Sequence, residues 1–317
     1  MTAPLRGDGF DRLRASADVI YDPWIEANPL RIYNSAQLAE RIRAEGSDAL
    51  VVESDLVGPE VFATGVRFVA TTRGDPVNVD LGAATDAGVP VLRCPGRNAD
   101  AVAELTVALL FAVSRNVIRA DADVRAGQVF KAGTIPYQRF RAWELAGRTA
   151  GIVGLGAVGR ATKWRLEGLG LRVVAYDPYA PDAECSLDEL LATADVVSMH
   201  APVTPESTRM IGEAQFAAMK AGAIYLNTAR AKLHDTAALV DALRSGHLYG
   251  AGLDHFEGEH LPTDHPLAAM PNVVLTPHIG GATWDTESRQ SAMVADGLLR
   301  LLNGDLPAHL LNPEVLT

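Results

Sequence analysis

Cysteine is scarce in this chain of 317 residues: Cys94 and Cys185 stand alone, far apart and without metal-ligand spacing. That excludes a disulfide framework and a thiolate metal centre, and it predicts reduced thiols in a cytoplasmic protein. Long apolar runs are missing too, so no segment reaches the length of a membrane-spanning helix. The opening stretch, with Arg6, Asp8, Asp11, Arg12 and Arg14, lacks the apolar centre of a signal peptide. Basic charge is in deficit: 28 Lys and Arg against 39 Asp and Glu leave a net charge of −11. This argues against nucleic acid or an anionic membrane as the main partner, and an anionic substrate would need a local basic site. There is no internal repeat and no low-complexity segment. The length suffices for two ordinary domains, each with its own core.

The stretch from Thr149 to Arg160 organises the rest. An apolar run, Gly151 to Val153, enters Gly154, Gly156 and Gly159, and a second, Leu171 to Tyr176, ends on Asp177. Strand, glycine turn, helix and terminal acid form a dinucleotide-binding fingerprint. Gly154 permits the tight turn, Gly156 lets backbone approach a pyrophosphate, and Gly159 lets the helix lie close on its strand. Free N–H groups at the helix start bind phosphate. Asp177 accepts hydrogen bonds from ribose hydroxyls and repels a 2′-phosphate. Pro178 and Tyr179 follow it with no adjacent arginine, so the motif favours NAD over NADP.

Residues 17 to 92 alternate short apolar runs (Val19-Ile20, Ala49 to Val52, Val66 to Ala70, Val89 to Leu92) with helical patterns, which predicts a small parallel-sheet domain. Asp100 to Asn116 reads as one long apolar helix joining two domains or two subunits. Residues 127 to 143 show no period and read as a loop excursion, with Arg139, Arg141 and Trp143 more readily assigned to surface packing than to substrate. Ser186 to Glu189 is a capping box. The strands that follow end on polar residues: His200, Asn227 to Arg230, Asp254 and His278.

Removing hydride from an alcohol carbon leaves a proton on oxygen, so a bound nicotinamide needs a proton-transfer partner, most often histidine. Of the eight histidines, His278 is best placed, after a strand and Pro277 and before Gly280-Gly281. His200 reads as a carbonyl-bonded core histidine. His255 and the other five have no comparable setting.

Several motifs now occur in order: Ala101-Val102-Ala103-Glu104, the glycine turn, Asn227-Thr228-Ala229-Arg230, Gly252 to Glu257, and Thr276-Pro277-His278-Ile279-Gly280-Gly281-Ala282-Thr283. Together, over nearly the whole chain, they resemble the D-isomer-specific 2-hydroxyacid dehydrogenases, including the phosphoglycerate dehydrogenase branch without its regulatory domain. The resemblance implies that Arg230 grips the substrate's carboxylate and keto oxygen, that His278 is the acid/base, and that Glu259, in preference to Glu257, stands behind it. A carboxylate against an imidazole raises its pKa and fixes its orientation. For NAD the resemblance implies Gly154, Leu155, Gly156, Ala157, Val158 and Gly159 at the phosphates and Asp177 and Pro178 at the ribose. It further implies Thr106, Ala201, Pro202, Thr208, Thr228, Ala229 and Arg230 along the cofactor, with Asp254, His278 and Gly280 near the nicotinamide.

The sequence departs from the family where Ala231 and His260 replace a usual glycine and proline, and more seriously at Arg73-Gly74-Asp75-Pro76. There many members bind the substrate carboxylate through backbone N–H groups. Asp75 adds negative charge and Pro76 removes a donor. Arg73, Gly74 and Asp75 are accordingly expected at the substrate, with Asp75 either selecting hydroxylated acids or capping its own turn.

The fold expected is α/β, with two doubly wound parallel-sheet domains. A Rossmann NAD-binding domain, 99–290, is inserted in a flavodoxin-like substrate domain, 1–98 and 291–317, and the active site lies in the cleft. The activity expected is hydride transfer between NAD(H) and a D-2-hydroxy or 2-keto acid, sugar-derived or phosphorylated acids included, and the resemblance implies a homodimer joined through the nucleotide domain. The alternative is a non-catalytic NAD-sensing module similar to corepressors of the same family, disfavoured by the lack of an extended interaction tail. Formate or phosphite oxidation has no distinguishing motif.

Overall fold

The computed structural model describes residues 1–316. They divide into two units, Met1–Arg97 with Thr283–Thr317, and Asn98–Ala282.

The first unit holds a parallel sheet in the order β1 (Ala49–Val52), β2 (Phe68–Thr71), β3 (Val91–Leu92). The helix Ser35–Glu45 opens on a capping box between Asn34 and Gln37 and closes on Gly46 at φ 65°, a left-handed position suited to glycine. Val19-Ile20, expected as a strand, lies outside the sheet: Val19 packs on the core while Ile20 is 43% exposed. The chain returns to this unit at Thr283, earlier than the expected 291. The reason is packing. The helix Trp284–Leu302, capped by the Thr283 side chain, packs against the helix Gly7–Ser16 and shares a core through Val294, Ala295 and Leu298 with Phe10 and Leu13. A Cβ on Gly9 would fall on the Ala292 backbone, so only glycine allows that approach.

The second unit has six parallel strands, β4 (Thr149–Val153), β5 (Arg172–Tyr176), β6 (Val196–Met199), β7 (Ala223–Asn227), β8 (Leu248–Leu253) and β9 (Val273–Leu275). Their order is β5-β4-β6-β7-β8-β9. β4, β6 and β7 are buried throughout, as strands covered on both faces must be, which is why they read as unbroken apolar runs. The chain leaves β4 for β5 on one side and returns to β6 on the other. This reversal opens a crevice at the carboxyl ends of β4 and β6, where such sheets bind ligands.

The long helix Ala99–Ser114 packs on β7, β8 and the helix Ala157–Gly168. Arg165 ties the two helices by pairing with Asp100 and Glu104. The stretch expected as a loop from 127 to 143 contains one helical turn, Pro136–Arg139, after a helix Val117–Arg125. Arg139 holds it together through Asp123 at 3.2 Å and the Val129 carbonyl at 2.9 Å, and Trp143 lies under Arg148. Both cysteines are free. Among the described residues no single helix is long and apolar enough to cross a membrane.

Candidate active site

The glycine turn is built for its neighbours at two positions and for something else at the third. Gly154 has φ 96°, and a Cβ there would lie 2.5 Å from the Ala201 nitrogen at the end of β6. On Gly159 it would fall on the Gly154 carbonyl oxygen, so helix and strand could not approach. Gly156 differs: nothing lies within 4 Å of its absent Cβ, and at φ −73° any residue would be accommodated. The protein's own packing does not require glycine there. A phosphate group drawn close to the backbone does, and the uncapped N-terminus of the helix Ala157–Gly168 offers it free N–H groups. Asp177 braces the turn from the end of β5. Its Oδ2 accepts the Leu155 N–H at 2.7 Å and its Oδ1 the Tyr179 N–H at 2.8 Å. The residues present therefore fit a dinucleotide.

The reacting end is assembled from the loops after β7, β8 and β9. Asn227 shapes the first loop, accepting the Ala229 N–H at 3.0 Å and donating to the Arg230 carbonyl at 2.8 Å. Arg230 is left exposed, with no carboxylate partner among the described residues. Its charge is near enough to bear on His255. Thr106 and Thr228 are both buried and share a 2.8 Å hydroxyl contact. Ala201 and Pro202 follow β6, and the Thr208 hydroxyl is turned onto the Thr204 carbonyl.

Asp254, expected near a nicotinamide, is 1% exposed and directs its carboxylate at the third loop. Oδ1 accepts from the Thr276 hydroxyl at 2.7 Å and the Ile279 N–H at 2.9 Å, and Oδ2 accepts the Gly280 N–H at 2.8 Å. The His278 N–H donates to the Asp254 carbonyl at 2.9 Å. These bonds hold His278 at φ 54°, a left-handed backbone that costs a non-glycine residue of order 1–3 kcal/mol and persists only where its surroundings enforce it. Glu259 has the same φ of 54°. The strain falls on both halves of one pair: His278 Nδ1 lies 3.1 Å from Glu259 Oε1. Glu257, its rival, is exposed and lines a neighbouring cavity of about 730 Å³ with Arg209, Phe256 and His260.

Sequence reasoning passed over His255. Its ring is stacked on His278 with centroids 3.8 Å apart, and its Nδ1 lies 3.4 Å from the same Glu259 Oε1. The one available signal was its place directly after the β8 aspartate, four residues before Glu259. Burial, with the charges of His278 and Arg230, pushes its pKa down to about 4, so it is neutral at pH 7. His200 is bonded not to a carbonyl, as expected, but to the Ser198 hydroxyl at 2.8 Å. Its Nδ1 is buried without a partner among the described residues, and burial lowers its pKa to about 3.

Residues 107–280 match the family of the D-isomer specific 2-hydroxyacid dehydrogenase, NAD binding domain. The chain belongs to the D-isomer specific 2-hydroxyacid dehydrogenases. A glyoxylate reductase of Korarchaeum cryptofilum is 39% identical over 289 residues, covering 86% of this chain and 85% of that one. A D-3-phosphoglycerate dehydrogenase of Mycobacterium leprae is also 39% identical, over 84% of this chain but 52% of its own length. The crystal structure of the TT0316 protein from Thermus thermophilus superposes with a TM-score of 0.83 at 40% identity, covering 98% of both chains.

As a 2-hydroxyacid dehydrogenase of this family the protein is an NAD-dependent oxidoreductase. Its cofactor is NAD, and the chain should discriminate against NADP. Arg160, a cation near enough to feel the Asp177 charge, is committed to Asp182 at 2.8 Å. A 2′-phosphate therefore meets the Asp177 charge. Unit charges 4 Å apart at an effective dielectric near 20 repel by roughly 4 kcal/mol, and half of that exceeds a tenfold preference. We expect kcat/KM for NADH to exceed that for NADPH at least about tenfold, and equal values would contradict this role of Asp177.

In the first unit, the dehydrogenase carries Arg73, Gly74 and Asp75 directly after β2. Arg73 folds back, donating to the Glu53 carbonyl at 2.7 Å and the Ser54 hydroxyl at 3.4 Å. A Cβ on Gly74 would lie 3.2 Å from the Pro95 Cα. Asp75 is exposed and makes no hydrogen bond among the described residues, so the capping role weighed for it is not the one it takes.

Proposed function

We propose that the protein reduces a small, unphosphorylated 2-keto acid to the D-2-hydroxy acid, reversibly, in the manner of relatives named glyoxylate reductase. The observation that carries the reading is the 3.1 Å contact between Glu259 and a half-exposed His278, with the unpaired Arg230 nearby. Glu259 accepts the Nδ1 proton and thereby leaves Nε2 to exchange a proton with substrate. Arg230 holds the carboxylate through its planar fork and polarises the keto oxygen. Bound NADH supplies the hydride. His278 then gives its Nε2 proton to the developing alkoxide, and takes it back when the hydroxy acid is oxidised.

The engagement of Arg73 with Glu53 and Ser54 supports an unphosphorylated substrate, since a distal phosphate would have to draw that guanidinium away. Asp75 is proposed to favour acids bearing a further hydroxyl, which its free oxygens accept. Asp75→Gly should shift the ratio of kcat/KM between hydroxypyruvate and glyoxylate toward glyoxylate by about fivefold, the value of one hydrogen bond near 1 kcal/mol. An unmoved ratio removes Asp75 from substrate selection.

The same reading makes the protein a cytoplasmic homodimer joined through the nucleotide unit. Ile118, Val124, Phe130, Tyr137 and Trp143 are all between 57% and 85% exposed on one excursion of that unit. Apolar side chains exposed together on one segment support a contact there. Light scattering should give twice the mass of one chain, and Phe130→Asp should return it to one. A monomeric parent contradicts the dimer.

A further inference from the structure

His255, Glu259 and His278 each present one ligand atom, and these atoms lie within 4.8 Å of one another. Two of the three separations are 3.4 Å, from His255 Nδ1 to Glu259 Oε1, and 3.1 Å, from His278 Nδ1 to the same oxygen. A tetrahedral zinc ion with bonds of roughly 2.0–2.2 Å spaces its ligand atoms roughly 3.3–3.6 Å apart. The two edges to Glu259 match that spacing to within a few tenths of an ångström, and the third, between the two imidazoles, is no longer than 4.8 Å.

The donor set selects the kind of ion. Two imidazoles and one carboxylate suit zinc and its first-row neighbours, whereas magnesium and calcium prefer all-oxygen shells. The ligands are also held in place before any ion arrives. His255 is 4% exposed and stacked on His278, while Asp254 fastens the loop that carries His278. Glu259 and His278 are each about half exposed at the side chain, which leaves an entry path and a fourth position open to water.

We propose that His255, Glu259 and His278 form a chelating site for a divalent transition-metal ion of the zinc class, and that its occupation stops turnover. The ion displaces the proton between His278 Nδ1 and Glu259, takes the carboxylate for itself, and locks the ring that must exchange protons with substrate. Binding rests on the ligand geometry alone. The block on turnover rests on the function proposed above for His278.

The test uses the full-length protein without nucleotide, titrated with cobalt(II) chloride as a spectroscopic stand-in for zinc. The result expected is one equivalent bound with the visible absorption of four-coordinate cobalt, displaced by zinc. His255→Phe, which keeps a ring in the buried stack, should weaken this binding at least about tenfold, or ~1.4 kcal/mol. It should raise by a similar factor the zinc concentration that halves 2-keto acid reduction. Should that variant not fold, Glu259→Gln makes the same comparison for binding. No four-coordinate spectrum, equal affinity in parent and variants, or full turnover with the ion bound would each overturn the proposal. A protein inactive toward every 2-keto acid defeats the proposed function instead, and the cobalt titration still reads the site.

Discussion

Replacing His278 with alanine should lower the turnover of 2-keto acid reduction at least about a hundredfold while NAD binding stays nearly unchanged. A positioned acid/base contributes about 10²–10⁴ in rate, and among the described residues no other titratable ring is both exposed and paired with Glu259. Hydride arriving at carbon then leaves an alkoxide with only water to protonate it. The loop itself should survive. Its fastening runs through Asp254 to the Thr276 hydroxyl and the Ile279 and Gly280 N–H groups, none of which belongs to the His278 side chain. NAD affinity is set elsewhere, at the turn around Gly156 and the following helix. Steady-state kinetics with calorimetry of NAD binding separates the two. A fall in cofactor affinity matching the fall in turnover would mean that His278 supports the fold of the site instead of moving a proton.

Acidification should strip away a large part of the stability between pH 6.5 and pH 5. His234 is 2% exposed, and its Nδ1 accepts from the Asn227 amide at 3.0 Å and faces the Tyr225 hydroxyl at 3.2 Å, so a proton added there would confront the amide hydrogen. Burial pushes its pKa down to about 4, and His255 is pushed equally low by burial and the charges of His278 and Arg230. In the unfolded chain both titrate near 6.5. Their folded values are depressed, so in the window from about 6.5 down to about 4 the unfolded chain takes up protons that the folded chain refuses. Stability is complete above the unfolded pKa and falls as pH falls, by roughly 1.4 kcal/mol per pH unit for each group. Between pH 6.5 and pH 5 two groups amount to about 4 kcal/mol, a large share of the 5–15 kcal/mol of a typical fold. His200, with its pKa near 3, adds to the same sign. Urea midpoints should drop steeply from pH 6.5 to pH 5, and less steeply in His234→Gln, where the His255 share remains. Midpoints independent of pH over that window would contradict the burial of neutral histidines.

What could be read without coordinates was what local chemistry decides. The glycine turn with Asp177 and the capping box at Ser186 each depend on residues a few positions apart, or on one strand and its end. Both take the form their spacing requires. Arg230, Asp254 and His278 were visible as polar residues at the ends of apolar strands. What escaped depends on contacts between distant segments. The helix from Trp284 belongs to the first unit because Gly9 admits the Ala292 backbone, and nothing near residue 291 announces that. Asp254 carries an acid where a cofactor contact was expected, but only the fold shows its oxygens turned onto the histidine loop. His255 was passed over because its meeting with His278 is made across neighbouring strands, at the ends of β8 and β9. The excursion from 127 to 143 has no inward apolar period because several of its apolar side chains, Phe130, Tyr137 and Trp143 among them, face outward.

The central claim is that this chain transfers hydride between NAD(H) and a 2-hydroxy acid of D configuration, with His278 moving the proton. The direct measurement is NADH consumption with glyoxylate, pyruvate and hydroxypyruvate, followed by chiral analysis of the lactate and glycerate formed. The account predicts one hydroxy acid for each NADH oxidised, the chiral products D, and the rate abolished together in His278→Ala. Formation of the L acid, or no NADH consumption with any of the three, would contradict it.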